Sequence, residues 1–131
     1  MPLAGKTVLL DTSVLINILR RRKEPIARIR DLVLRGFGLV TSSINVAELY
    51  AGMREGEEIA TRELLSALSL LPLTPQTAQL AGEISADRRR VGRTHSLDDM
   101  MIAATAIEYD HALWTDNRKD FEIPGIQLLP D

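Results

Sequence analysis

Short apolar runs, Val8-Leu9-Leu10, Phe37 to Thr41 and Ala112 to Thr115, stand among longer stretches whose apolar residues recur at helical spacing. This alternation constrains the chain more than any other feature. Runs of that length suit buried strands, whereas apolar positions three and four residues apart suit amphipathic helices. Asp11-Thr12-Ser13 offers N-cap chemistry for a helix to about Arg20. Ile26, Ile29, Leu32 and Val33 mark a second helix that Gly36 can stop. Ser42-Ser43 opens a helix through Tyr50. Further helices carry Ala60, Leu64, Leu65 and Leu68, and then Leu80, Ala81 and Ile84, with Pro72 and Pro75 as punctuation between them. Met100 to Ile107 is apolar almost all round, which predicts a central buried helix. Gly125 introduces a last short strand, Ile126 to Leu129. Strands separated by helices pair in parallel, so the pattern predicts an α/β sandwich. With 131 residues and no internal repeat or linker, residues 1–131 form one domain.

Composition narrows the function. Cysteine is absent, which removes disulfide frameworks, thiolate zinc sites and cysteine nucleophiles and fits a reducing compartment. The net charge is −2, so any nucleic acid must be held by local cations rather than a global basic field. Aromatic residues are 4% of the chain, too few for a base-stacking platform. The opening apolar run meets Asp11 too soon for a signal-peptide core. The longest uncharged stretch, Leu64 to Gly82, contains prolines and glutamines and does not suit a bilayer. The expectation is a soluble, cytoplasmic protein without a membrane partner.

Acidic residues carry the chemical signal. In an open parallel sheet, ligands bind beyond the carboxyl ends of the strands. Asp11 directly follows the first strand and Asp116 follows Leu113-Trp114-Thr115, so topology sends both to one edge. Ser42, Ser43 and Asn45 follow the second strand there too. Glu48 sits among Val46, Ala47, Leu49, Tyr50 and Ala51, and Asp98 and Asp99 open the most apolar helix. Carboxylates in such neighbourhoods lose solvation and repel one another, and a hard oxygen-seeking cation such as Mg²⁺ or Mn²⁺ relieves both strains. Zinc is not expected, since His95 and His111 are isolated. Each acid also has a structural explanation: Asp11 as an N-cap, Ser96-x-x-Asp99 as a capping box, Asp116 as an Asx turn, and Glu48 as a snorkelling surface acid. All four are needed together for the acids to be inert. Two basic clusters, Arg20 to Lys23 and Arg88 to Arg90 with Arg93, suit either solvated helix ends or phosphate contacts.

Four blocks taken in order, Val8-Leu-Leu-Asp-Thr-Ser-Val-Leu-Ile16, Ser43-Ile-Asn-Val-Ala-Glu-Leu-Tyr-Ala-Gly52, Leu97-Asp-Asp-Met-Met-Ile-Ala-Ala-Thr-Ala106 and Leu113-Trp-Thr-Asp-Asn-Arg-Lys-Asp-Phe121, resemble the PIN-domain ribonucleases. Within them the chain resembles most the VapC toxins of type II toxin–antitoxin pairs. The resemblance implies a PIN-like three-layer sandwich, with a mainly parallel sheet flanked by helices, and an Mg²⁺- or Mn²⁺-dependent endoribonuclease. It places the family acids on Asp11, Glu48 and Asp99. The fourth falls on Asp116, with Asn117 as the competing position. Thr12, Ser13 and Thr115 are implied as donors that orient carboxylates or bound water. The implied partners are RNA, a VapB-like antitoxin and a second copy of the chain. Two other classes compete: an acidic-site α/β phosphatase and a non-catalytic binding module. A haloacid-dehalogenase-type phosphatase needs an aspartate where Ser13 stands, and a phospho-receiver domain needs an acidic pair where Asp11-Thr12 stands.

Overall fold

Strand β1 (Thr7–Leu10) organises the molecule, because its successive side chains enter opposite faces of one sheet. In the computed structural model, which describes residues 6–131, Leu9 packs with one core cluster and Val8 and Leu10 with another. All three are completely buried. The first cluster adds Val40, Met100, Ile102 and Leu113; the second adds Val14, Leu15, Leu32, Leu49 and Trp114. A sheet buried on both faces is what parallel strands require, since their crossover helices cover both sides.

The chain builds this in regular alternation. After β1 come α1 (Thr12–Leu19), α2 (Lys23–Leu34) and β2 (Gly38–Ser42). Then follow α3 (Ser43–Ala51), α4 (Glu58–Ser66) and β3 (Ser69–Leu71). The last elements are α5 (Pro75–Arg90), α6 (Leu97–Glu108), β4 (Ala112–Trp114) and a 3-10 turn, Arg118–Phe121. The sheet order is β3-β2-β1-β4 and every pairing is parallel. Val8 lies between Leu39 and Ala112, and Leu9 between Val40 and Leu113. The three-layer α/β architecture expected from the sequence is present.

Helix ends follow local chemistry. Ser42 caps α3 by accepting from the Asn45 N–H, and the Asn45 side chain accepts in return from the Ser42 N–H. Thr74 accepts from the Thr77 N–H at the start of α5, where Pro75 occupies a first-turn position that needs no donor. Gly36, at φ +84°, closes α2. Its N–H reaches the Val33 carbonyl while the Phe37 N–H reaches Leu32, a Schellman turn. On α6, Ala103, Ala104 and Ala106 are buried with Met100 and Ile102. Small side chains there let α6 lie close to the sheet and to α5.

Two expectations are corrected. Ile126 to Leu129 is not a strand: only Leu128 pairs, in a single parallel bridge to Leu113. β4 itself spans three residues, and Pro130 removes a ladder donor just beyond. Conversely, β3 is a strand that the apolar pattern did not announce. It is a three-residue edge strand, with Ser69 and Leu70 exposed, so it lacks the buried alternation that reveals a strand. The single-domain expectation covers 1–131, of which residues 1–5 lie outside the described part. No described helix is long and apolar enough to cross a membrane.

Leu9→Ala should remove about 2–5 kcal/mol of unfolding free energy, since it empties a fully buried site between sheet and helices. Val33→Ala, on the exposed side of α2, should stay within about 0.5 kcal/mol. Urea unfolding at equilibrium measures both, and equal losses would contradict the core described here.

Candidate functional site

Asp11 continues β1 at the carboxyl edge of the sheet. Its N–H donates to the Trp114 carbonyl at 2.9 Å, and its own carbonyl accepts from Val14 and Leu15 to start α1. Its side chain makes no capping hydrogen bond, although it stands at the N-cap position. The carboxylate instead points into the site, with 4% of the residue exposed. Thr115 Oγ1 donates to Oδ2 at 2.7 Å, Ser13 Oγ donates to the same oxygen at 3.3 Å, and Asn45 Nδ2 donates to Oδ1 at 3.2 Å. All three donors are neutral. No described ion pair involves Asp11, Glu48, Asp99 or Asp116.

Asn45 is the hub that sequence reasoning left without a role. It is fully buried. Its amide nitrogen also donates to Thr12 Oγ1 at 3.0 Å, and its oxygen accepts from Ser42 Oγ at 2.6 Å. Thr12 Oγ1 in turn donates to Glu48 Oε1 at 2.6 Å. One polar chain therefore joins the end of β2, the first turn of α3, the first turn of α1 and the half-buried Glu48. The signal was present as spacing, because Asn45 and Glu48 are three residues apart and share a helix face.

Glu48 and Asp99 both titrate above their ordinary values. Burial is the main cause for each. Repulsion from Asp11, Asp98 and Asp99 adds to the rise at Glu48, and the Thr12 hydrogen bond opposes it. Repulsion from Asp11, Asp120 and Asp98 adds to the rise at Asp99, opposed by Ser96. The expected trio of Asp11, Glu48 and Asp99 therefore shares one electrostatic neighbourhood. Asp120, on the 3-10 turn, joins it unannounced. Four residues separate Asp120 from Asp116 across an irregular turn, so no helical or strand period exposes the relation.

Asp116 is exposed and is not among the charges that raise Glu48 or Asp99. Its carboxylate accepts from Asn17 Nδ2 at 2.7 Å, so it does not fold back as an Asx turn. Its N–H donates to Ser13 Oγ at 3.1 Å, which ties it to Asp11 through one hydroxyl. Asn117 enters by its backbone, donating to Thr115 Oγ1 at 3.0 Å. Thr12, Ser13 and Thr115 each donate a hydrogen bond to one of these carboxylates.

The donor chemistry here is oxygen only. Among the described residues, no three acids or histidines close on a common point that could hold an ion as the side chains lie. Glu48 and Asp99 are half-buried, and each is raised in part by the charges of neighbouring acids. A hard divalent cation suits this set: it is bound by oxygen and relieves the repulsion that raises both acids.

Fold and site together define a class. The PIN domain family profile matches residues 8–124, nearly the whole described chain. Ribonuclease VapC19 of Mycobacterium tuberculosis is 31% identical over 120 residues, spanning 91% of this chain and 96% of that protein. Ribonuclease VapC2 of Haemophilus influenzae is 33% identical over 119 residues, spanning 87% and 89%. The DNA-bound VapBC structure from Salmonella typhimurium superposes with a TM-score of 0.79 at 29% identity, covering 94% of this chain and 96% of that one. The chain belongs to the VapC branch of the PIN-domain family.

Two predictions follow from the geometry. Because Glu48 and Asp99 are raised, the folded chain holds protons that the unfolded chain has released. The associated stability is complete below the ordinary carboxylate range and is lost as pH rises through the raised values. Metal-free protein should therefore lose melting temperature as pH rises above the ordinary carboxylate range, and Asp99→Asn should shrink that loss. A profile unchanged by Asp99→Asn would contradict the shared neighbourhood. Asn45→Ala, which leaves Asp11 Oδ1 and Thr12 without their amide donor, should cost about 1–3 kcal/mol in chemical denaturation.

Proposed function

We propose that this chain is an Mg²⁺- or Mn²⁺-dependent endoribonuclease, the toxin of a type II toxin–antitoxin pair, acting in the cytoplasm. The observation that carries the reading is Asp11: a buried carboxylate at the strand edge, not used as a cap, held by neutral donors and facing other acids. A structural acid at that position would turn to the helix N–H groups instead. The binding-module alternative needs that capping role and loses it here. The relatives named ribonuclease VapC, 31% and 33% identical, support RNA as substrate. VapBC structures such as that from Salmonella typhimurium support a VapB-like antitoxin as partner. Homodimerisation is proposed from the same kinship.

Asp11, Glu48 and Asp99 would hold the ion, with Asp116 or Asn117 as the fourth position and Asp120 an added carboxylate beside Asp99. A divalent cation there supplies a lowered water pKa and charge neutralisation at the phosphate. The chain's own residues do the rest. Thr115, Ser13 and Asn45 fix both oxygens of Asp11, so its orientation is set before substrate arrives. Thr12 occupies Glu48 Oε1 and leaves Oε2 to take a proton. Burial raises the proton affinity of Glu48, which suits it to accept that proton from the attacking water. The water oxygen bonds to phosphorus as the P–O3′ bond breaks, and O3′ leaves with a proton drawn from solvent. The products carry 5′-phosphate and 3′-hydroxyl ends, with no role for the 2′-hydroxyl.

Incubating the purified chain with total RNA tests this. Cleavage should appear with Mn²⁺ or Mg²⁺, disappear with chelator, and disappear in the folded Asp11→Asn/Asp99→Asn variant. Thr115→Val should lower activity by about 10–100-fold, since it removes the shorter of the two hydrogen bonds to Asp11 Oδ2. Undiminished cleavage by the double variant would overturn the assignment.

A further inference from the structure

The acids that suit a cation repel a polyanion, and a chain of net charge −2 supplies no general attraction for one. Yet cations line two clefts, the first of which reaches the acidic edge. The first, about 760 Å³, is lined by Thr115 and Asp116 and by Arg22, Lys23, Arg28 and Arg118. The second, about 600 Å³, is lined by Arg88, Arg93 and again Arg118. Arg118 lines both clefts, so the pair can serve as one path with Asp116 at the first. Six cations line it against four carboxylates, Glu24, Asp116, Asp131 and Glu122, so the path is positive within a negative chain.

Backbone turns put these cations where they are. The Arg21 N–H reaches Ile18 and the Arg22 N–H reaches Asn17, a Schellman turn with Arg21 at φ +57°. A non-glycine residue in that conformation is disfavoured. It directs Arg22 and Lys23 away from the end of α1. Gly92, at φ +77°, makes the same turn after α5, with the Arg93 N–H reaching back to Arg88. Arg28 lies 5.7 Å from the Trp114 ring centroid, so an aromatic face steadies it in the first cleft.

Their present partners are exchangeable. Arg28 donates to the Pro130 carbonyl and Arg118 to the Leu129 carbonyl. Arg118 and Arg93 approach Asp131 and Glu122 at 3.7 and 3.8 Å, in exposed pairs of the kind that contribute little. Arg22 and Lys23 pair with no described acid.

We infer that these two clefts, joined at Arg118, form a track for the phosphate backbone of single-stranded RNA flanking the bond cleaved at the acidic edge. This rests on the nuclease reading and adds where the substrate strand runs. Phosphates replace the weak internal partners of Arg118, Arg28 and Arg93, and the few aromatics make recognition electrostatic rather than stacked.

The test measures binding apart from cleavage. Fluorescence anisotropy would follow a labelled 16-nucleotide single-stranded RNA of mixed sequence, bound to the Asp11→Asn protein in chelator at several salt concentrations. Removing cations by Arg22→Gln, Lys23→Gln and Arg93→Gln should reduce the slope of log affinity against log salt by about 0.7 each. The combined variant should bind about tenfold more weakly at low salt, with Tm unchanged. Arg62→Gln, outside both clefts, should bind as the parent does. Parental affinity and slope in the combined variant would overturn the track even if wild-type protein cleaves RNA. Altered slopes with no cleavage by wild-type protein would keep the track and remove the nuclease reading.

Discussion

A desolvated carboxylate at the end of β1 sets the terms for everything around it. Asp11 continues a strand whose three preceding residues are fully buried, so its side chain emerges where water is scarce. A charge there needs compensation. Three neutral donors provide it, each from a different part of the chain: Ser13 from α1, Asn45 from α3 and Thr115 from beyond β4. The same bonds that satisfy the acid therefore fasten the carboxyl ends of β1, β2 and β4 together. Site geometry and local rigidity have one cause.

What those donors do not provide is positive charge. Hydroxyls and amides orient a carboxylate, but they leave its field acting on Glu48 and Asp99, where it adds to the rise that burial causes. A structural acid in this position would turn to the N–H groups of α1. The chain has enough arginines, but they line the path beyond Asp116 rather than the acids. Anionic and cationic groups are thus segregated into adjoining zones, one suited to a cation and the other to a polyanion. That division is what a metal-dependent enzyme acting on nucleic acid needs.

How much of this was legible beforehand depended on the range of the interaction. β1, β2 and β4 showed as apolar runs because both faces of a parallel sheet are buried. β3 did not, because an exposed edge of three residues has no such signature. Ile126 to Leu129 looked like a strand by composition, yet a neighbour only three residues long leaves it a single bridge. Asp11, Glu48 and Asp99 were visible as acids in apolar company and as positions in a resemblance. Asn45 was visible as a residue on the right edge but not as the hub, since its role lies in contacts 33 and 34 residues away. Asp120 was hidden by the irregular turn that delivers it to Asp99.

The capping residues show why local rules alone misjudge such a site. Ser42, Thr74 and Ser96 all accept hydrogen bonds from their helices and are accounted for by that. Asp11 has the same position and extended backbone, φ −72° and ψ 160°, but turns its side chain away. Its carbonyl still starts α1, so the helix keeps its first backbone bonds and forgoes a side-chain cap worth about 1 kcal/mol. Residues elsewhere in the chain recover that energy through the three donors. A sequence can announce that a cap is available; only tertiary contacts decide whether it is used. The departure from the local preference at Asp11 is the mark by which the fold distinguishes a site from a helix end.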